Sequence, residues 1–112
     1  MGEENLEFLK RSPLFTGFHE GQFEALFKLA ELRRFESGEV IVEEGTPGDR
    51  FFVIMEGEVV IEKQTPEGYP RPLALLDEQG DFFGEMAVVD IEPRSATARA
   101  KSRTVVVEVS EP

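Results

Sequence analysis

Between Leu32 and Val109 the chain alternates short apolar stretches with glycine-bearing turns, and this rhythm limits the fold more than any other feature. Ser37-Gly38 parts Leu32–Glu36 from Val40–Glu44, and Gly45-Thr46-Pro47-Gly48 parts the latter from Arg50–Glu56. Gly57 then marks a turn or a bulge. Glu58–Gln64 sets Val59 and Ile61 against charged neighbours, the period of two expected of a half-buried strand. Pro66-Glu67-Gly68 makes a hairpin tip, and Arg71–Leu76 returns. Ser95–Lys101 and the valine-rich Arg103–Val109 make a last pair. So many short strands predict an all-β sandwich or roll.

The front of the chain has a different texture. Glu3–Arg11 predicts a short helix with Leu6, Leu9 and Phe8 on one face, stopped by Ser12-Pro13. Glu20–Ala30 predicts a longer one, because Phe23, Leu26, Phe27 and Ala30 fall at i, i+3, i+4 and i+7. We therefore expect one domain over residues 1–112, with helices over 1–31, a β-roll over 32–109 and a tail at 110–112.

Charge and composition narrow the function. The formal net charge is −11, from 23 acidic and 12 basic residues, which repels nucleic acid and anionic membranes. An anionic ligand must then be held by a local cluster of donors against the overall field. With no cysteine there are no disulfides, thiolate nucleophiles or Cys-based metal sites. The polar, acidic start is unlike a secretory signal, and no apolar run approaches the ~18–20 residues that cross a bilayer, so we expect a cytoplasmic protein. His19 is the single histidine, at a helix start, where a cap or surface role is expected. One histidine outside the roll supports neither a cupin-type metal site nor a catalytic triad. No metal, no catalytic cofactor and no enzymatic activity are expected.

The chemistry concentrates in Gly80–Ala100, GDFFGEMAVVDIEPRSATARA. Gly84 lets backbone approach a ligand closely. Glu85–Val89 predicts one short helical turn whose first N–H groups form an anion site. Arg94 then supplies a planar fork of donors suited to phosphate, Ser95 a hydroxyl beside it, and Ala96 a small residue that again lets backbone lie close. Phe82-Phe83 is expected in the core.

Phe83-Gly84-Glu85-Met86-Ala87 followed by Pro93-Arg94-Ser95-Ala96-Thr97-Ala98 resembles the phosphate-binding cassette of cyclic nucleotide-binding domains, of the catabolite activator protein and protein kinase A regulatory-subunit type. Leu14–Phe18, Phe35–Gly45 and Gly48–Gly57 are similar to the family's entry segment and successive strands, so the likeness spans roughly residues 10 to 110. It implies an eight-stranded jelly-roll-like β-roll with N-terminal helices and a short helix in the cassette. It further implies that Arg94 pairs with the cyclic phosphate and that Glu85 accepts a hydrogen bond from the ribose 2′-hydroxyl. Gly84 and Ala87 would bring backbone donors to the sugar and phosphate, and Met86 would belong to the same ligand-binding set. Ser95 and Ala96 would flank the phosphate, and Asp49 would orient the arginine from behind.

The family usually follows the roll with helices that close over the base. Here only Ser110-Glu111-Pro112 follow the last expected strand. Cyclic AMP is the expected ligand, with cyclic GMP as the other candidate, since Ser95 has the hydroxyl but not the methyl group of the Thr common in guanine-preferring members. An effector protein or domain is an expected partner. The alternative reading is a ligand-free roll serving as a protein-interaction module, or the regulatory fragment of a longer effector.

Overall fold

The computed structural model describes residues 8–10, 12–46, 48–84 and 94–110. Strands β1 (Ala30–Phe35), β2 (Val40–Val42), β3 (Arg50–Glu56), β4 (Val59–Gln64), β5 (Pro70–Leu76), β6 (Phe82–Phe83), β7 (Thr97–Ala100) and β8 (Thr104–Ser110) follow one nine-residue helix, α1 (Glu20–Lys28). They form two four-stranded sheets, β1-β8-β3-β6 and β2-β7-β4-β5, antiparallel throughout. This is the expected eight-stranded roll.

Alternation along the strands builds two cores. In β8, Val107 and Val109 point outward from sheet β1-β8-β3-β6 and pack with Val53 against Phe8, Leu9, Phe15, Phe23 and Leu26. Val106 points the other way, joining Phe52, Ile54, Val59, Phe83 and Ala98 between the sheets. The helical segment thus seals one face of a sheet whose opposite face lines the interior of the roll.

Two expectations about elements are corrected. Helix α1 stops at Lys28, and Ala30 is not on its stripe but begins β1, paired with Val109. Cross-strand pairing outweighs the helical period there. Phe82-Phe83 is core as expected but is also a strand, pairing with Val53 and Phe52. The expected helix over Glu3–Arg11 is described only at 8–10, which form a 3-10 turn; the rest lies outside the described residues. His19 caps α1, its backbone N–H donating to the Gln22 side-chain oxygen at 3.0 Å.

The turns fall where glycine demands. Gly57 has φ +100°, and a Cβ there would stand 2.5 Å from the Arg103 carbonyl oxygen and 2.7 Å from the Thr104 Cα. Only a residue without Cβ lets the β3–β4 turn lie this close to the β7–β8 turn.

Candidate functional site

Arg94 sits at the mouth of the roll, just before β7, and is 7% exposed. Its backbone is clamped by the turn after β2. The Arg94 N–H donates to the Thr46 carbonyl at 2.8 Å, and the Gly45 N–H donates to the Arg94 carbonyl at 2.8 Å. Among the described residues, two backbone carbonyls hold the guanidinium. Nη1 donates to the Gly84 carbonyl at 2.9 Å and Nη2 to the Arg50 carbonyl at 2.8 Å. Its plane lies near the Phe52 ring, 5.9 Å from the ring centroid. Burying a cation costs several kcal/mol unless dipoles or anions replace its water. Here carbonyl dipoles supply part of that replacement.

A cavity of about 250 Å³ opens in front of this arginine. Gly84, Arg94, Ser95 and Ala96 line it together with Val42, Ile61, Leu76, Phe82, Phe83 and Ala98. The site therefore joins one cationic fork to an apolar wall. Gly84 has φ +88°, and a Cβ on it would stand 2.6 Å from Arg94 Nη1. Glycine at this position is what allows the guanidinium to reach the Gly84 carbonyl. Lys63 steadies the next residue, its Nζ donating to the Ser95 carbonyl at 3.0 Å.

Four of the expected site residues, Gly84, Arg94, Ser95 and Ala96, thus share one cavity. Glu85, Met86 and Ala87, with the short helical turn expected at Glu85–Val89, lie outside the described residues. Asp49 is exposed, with Oδ1 3.4 Å from Arg50 Nε.

A second cavity, of about 320 Å³, is also lined by Arg94. It is lined by Asp49 and by charged groups that the sequence reading did not single out, Arg33, Arg50 and Glu108, beside Phe52 and Arg94. Glu108, 4% exposed, accepts from Arg33 Nη1 at 3.3 Å and from Arg50 Nη1 at 3.1 Å. The Glu108 hydrogen bond, its charge and the charge of Asp49 hold the Arg50 guanidinium above its ordinary pKa. The signal in the sequence is a lone glutamate inside TVVVEVS.

Among the described residues, no helix is long and apolar enough to cross a membrane. A family model for the cyclic nucleotide-binding domain matches residues 32–112. A cAMP-dependent protein kinase regulatory subunit of Dictyostelium discoideum is 35% identical over 105 residues, which cover 92% of this chain and 32% of that protein. A CRP-like cAMP-activated global transcriptional regulator of Mycobacterium tuberculosis is 34% identical over 92 residues, covering 82% of this chain and 41% of the regulator. This chain therefore spans well under half the length of either relative. Among solved structures, the regulatory domain of Toxoplasma gondii PKA in co-crystals with cAMP superposes with a TM-score of 0.87 at 28% identity, covering 96% of this chain and 41% of that one. With the roll, the glycine-arginine cavity and the family match in agreement, the chain belongs to the cyclic nucleotide-binding domain family.

Proposed function

We propose that this domain is a cytosolic sensor that binds cyclic AMP as a regulatory ligand and does not convert it. The observation that carries the reading is Arg94, a buried arginine pinned by the Gly84 and Arg50 carbonyls at the wall of an otherwise apolar cavity. A planar cationic fork held in place is suited to a phosphodiester anion. Ser95 and the Ala96 backbone flank the phosphate, and Gly84, Met86 and Ala87 bring backbone to the sugar and phosphate. Glu85 takes the ribose 2′-hydroxyl, and Asp49 supports from behind through Arg50. The cavity receives the ribose phosphate at Arg94 and leaves the base towards the opening. Adenine is favoured over guanine by the cAMP-dependent Dictyostelium relative and the cAMP-bound Toxoplasma domain. The binding unit is residues 1–112, in which Phe8, Leu9, Phe15, Phe23 and Leu26, ahead of the strands, pack on the roll. An effector protein or domain reads the bound state.

The test is calorimetric titration with cyclic AMP, then cyclic GMP, with linear AMP as control. Saturable binding of a cyclic form is expected, with cyclic AMP tighter. Truncating one partner of a buried charge pair costs about 2–5 kcal/mol, roughly 30-fold to several thousand-fold in affinity, and Arg94→Ala belongs in that range. Wild-type affinity in Arg94→Ala shows the pocket to be elsewhere. No binding of either nucleotide by a folded protein ends the sensor reading.

A second reading has one observation in its favour. Tyr69, Leu73 and Leu75 are exposed around the edge strand β5, and a shallow cavity runs along Val60, Leu73, Leu75 and Lys101. A roll used for protein contacts would employ this outer face. A partner captured equally with and without nucleotide supports that reading.

A further inference from the structure

We propose that Glu108 is a positioning residue for Arg94, acting through the first residue of β3; this rests on Arg94 being the phosphate-binding group. Alternate residues of β8 face one way, so Glu108 shares its face with Val106 and points between the sheets. A carboxylate there is costly to bury unless cations meet it. The two cations come from the strands on either side, Arg33 from β1 and Arg50 from β3. Glu108 therefore ties the three adjoining strands together at the mouth of the roll.

Arg50 is the link onward. Its side chain is held by Glu108 at 3.1 Å, and its own carbonyl holds Arg94 Nη2 at 2.8 Å. Phe52, paired in register with Glu108, carries the ring against which the Arg94 guanidinium lies. Both supports of the phosphate fork on the β3 side are thus set by residues in direct contact with Glu108 or paired to it. Replacing Glu108 by Gln keeps the shape and removes the charge. Arg33 and Arg50, each with a side chain 46% exposed, are then free to turn to solvent, and the start of β3 loosens. A fork displaced by a fraction of an ångström binds its anion less well, on the order of 10-fold for this kind of indirect support.

The experiment follows the Arg94 guanidinium directly. The 15N resonance of Arg94 Nε is identified by its loss in Arg94→Lys, then compared in the ligand-free protein and in Glu108→Gln. Glu62→Gln is the control, a buried carboxylate paired with Arg99 at 2.7 Å on the outer face of the other sheet. We expect Glu108→Gln to shift the Arg94 resonance and speed its exchange with water, with no change in Glu62→Gln. Cyclic AMP should bind about 10-fold more weakly to Glu108→Gln, and the same change on an Arg94→Ala background should add nothing. An unmoved Arg94 resonance, or an equal loss of affinity on both backgrounds, overturns the proposal. If Glu108→Gln fails to fold, Arg50→Ala removes the half-exposed link while keeping the carbonyl, and must shift the same resonance. Should the wild-type protein bind no cyclic nucleotide, the functional reading falls, while the ligand-free resonance still decides whether Glu108 positions Arg94.

Discussion

Replacing Gly84 by Ala offers a sharp test of the site geometry, because a matched control exists in the same chain. Gly84 and Gly68 have nearly the same backbone, φ +88° and φ +89°. Both substitutions place an L-residue in left-handed space, at about 1–2 kcal/mol, and both remove the same freedom from the unfolded chain. Their surroundings differ. A Cβ on Gly68 meets nothing within 4 Å, whereas one on Gly84 stands 2.6 Å from Arg94 Nη1, 3.3 Å from the Arg50 carbonyl oxygen and 3.4 Å from Phe52. The first contact is about 0.9 Å inside the ~3.5 Å optimum, so the guanidinium must withdraw. Hydrogen bonds to a charged group are worth about 1.5–3 kcal/mol each. Loss of the bond to the Gly84 carbonyl therefore puts Gly84→Ala about 1.5–3 kcal/mol below Gly68→Ala in urea unfolding. In titration, Gly84→Ala should weaken cyclic AMP by roughly 10- to 100-fold, while Gly68→Ala leaves it unchanged. Pairing Gly84→Ala with Arg94→Ala should abolish the excess destabilisation, since the clashing atom is gone. Equal stability of the two alanine variants, with affinity intact, would refute the placement of Arg94 against Gly84.

Three further outcomes follow from the same packing. Arg94→Lys should recover only part of the affinity lost in Arg94→Ala, because an ammonium cannot bridge the Gly84 and Arg50 carbonyls as a planar fork does; titration of the two variants side by side measures the difference. Gly57→Ala should cost about 3 kcal/mol or more, since its Cβ would meet the backbone of Arg103 and Thr104, which cannot swing aside; denaturant unfolding checks this. Leu9→Ala should cost about 2–5 kcal/mol, because Leu9 is fully buried in the outer core, and an unchanged unfolding midpoint would show that the N-terminal turn is not part of the cooperative unit.

The sequence showed the strands best where two local signals agreed. Arg50–Glu56 has an apolar run, Phe51–Met55, and is flanked by glycine turns, and β3 has those same limits. Phe82-Phe83 has no readable period because two residues cannot display alternation, and β6 exists only through its pairing with β3. Ala30 fits a helical stripe, and only its partner Val109, distant in sequence, assigns it to β1. At the site, Gly84, Arg94, Ser95 and Ala96 were legible because one contiguous segment carries them. The Arg33–Glu108–Arg50 cluster was not, because three separate strands assemble it and each charge looks ordinary alone. A glutamate at an inward position of a valine strand is the local trace of that assembly.

The order of strands also bears on how the chain comes to exist. One of the two inner strands of each sheet, β8 in the first and β7 in the second, is drawn from residues 97–110. On a ribosome, β1 to β6 therefore emerge with β1 and β3 lacking the strand that must lie between them, and with β2 and β4 likewise apart. Early strands can form the β4–β5 hairpin, but neither sheet can close until residues 97–110 have emerged. Until then exposed strand edges persist in the nascent chain, where pairing with other chains competes with folding. Premature release anywhere before Thr97 would thus yield strands with unfilled centres, a substrate for chaperones and proteases and not a smaller roll.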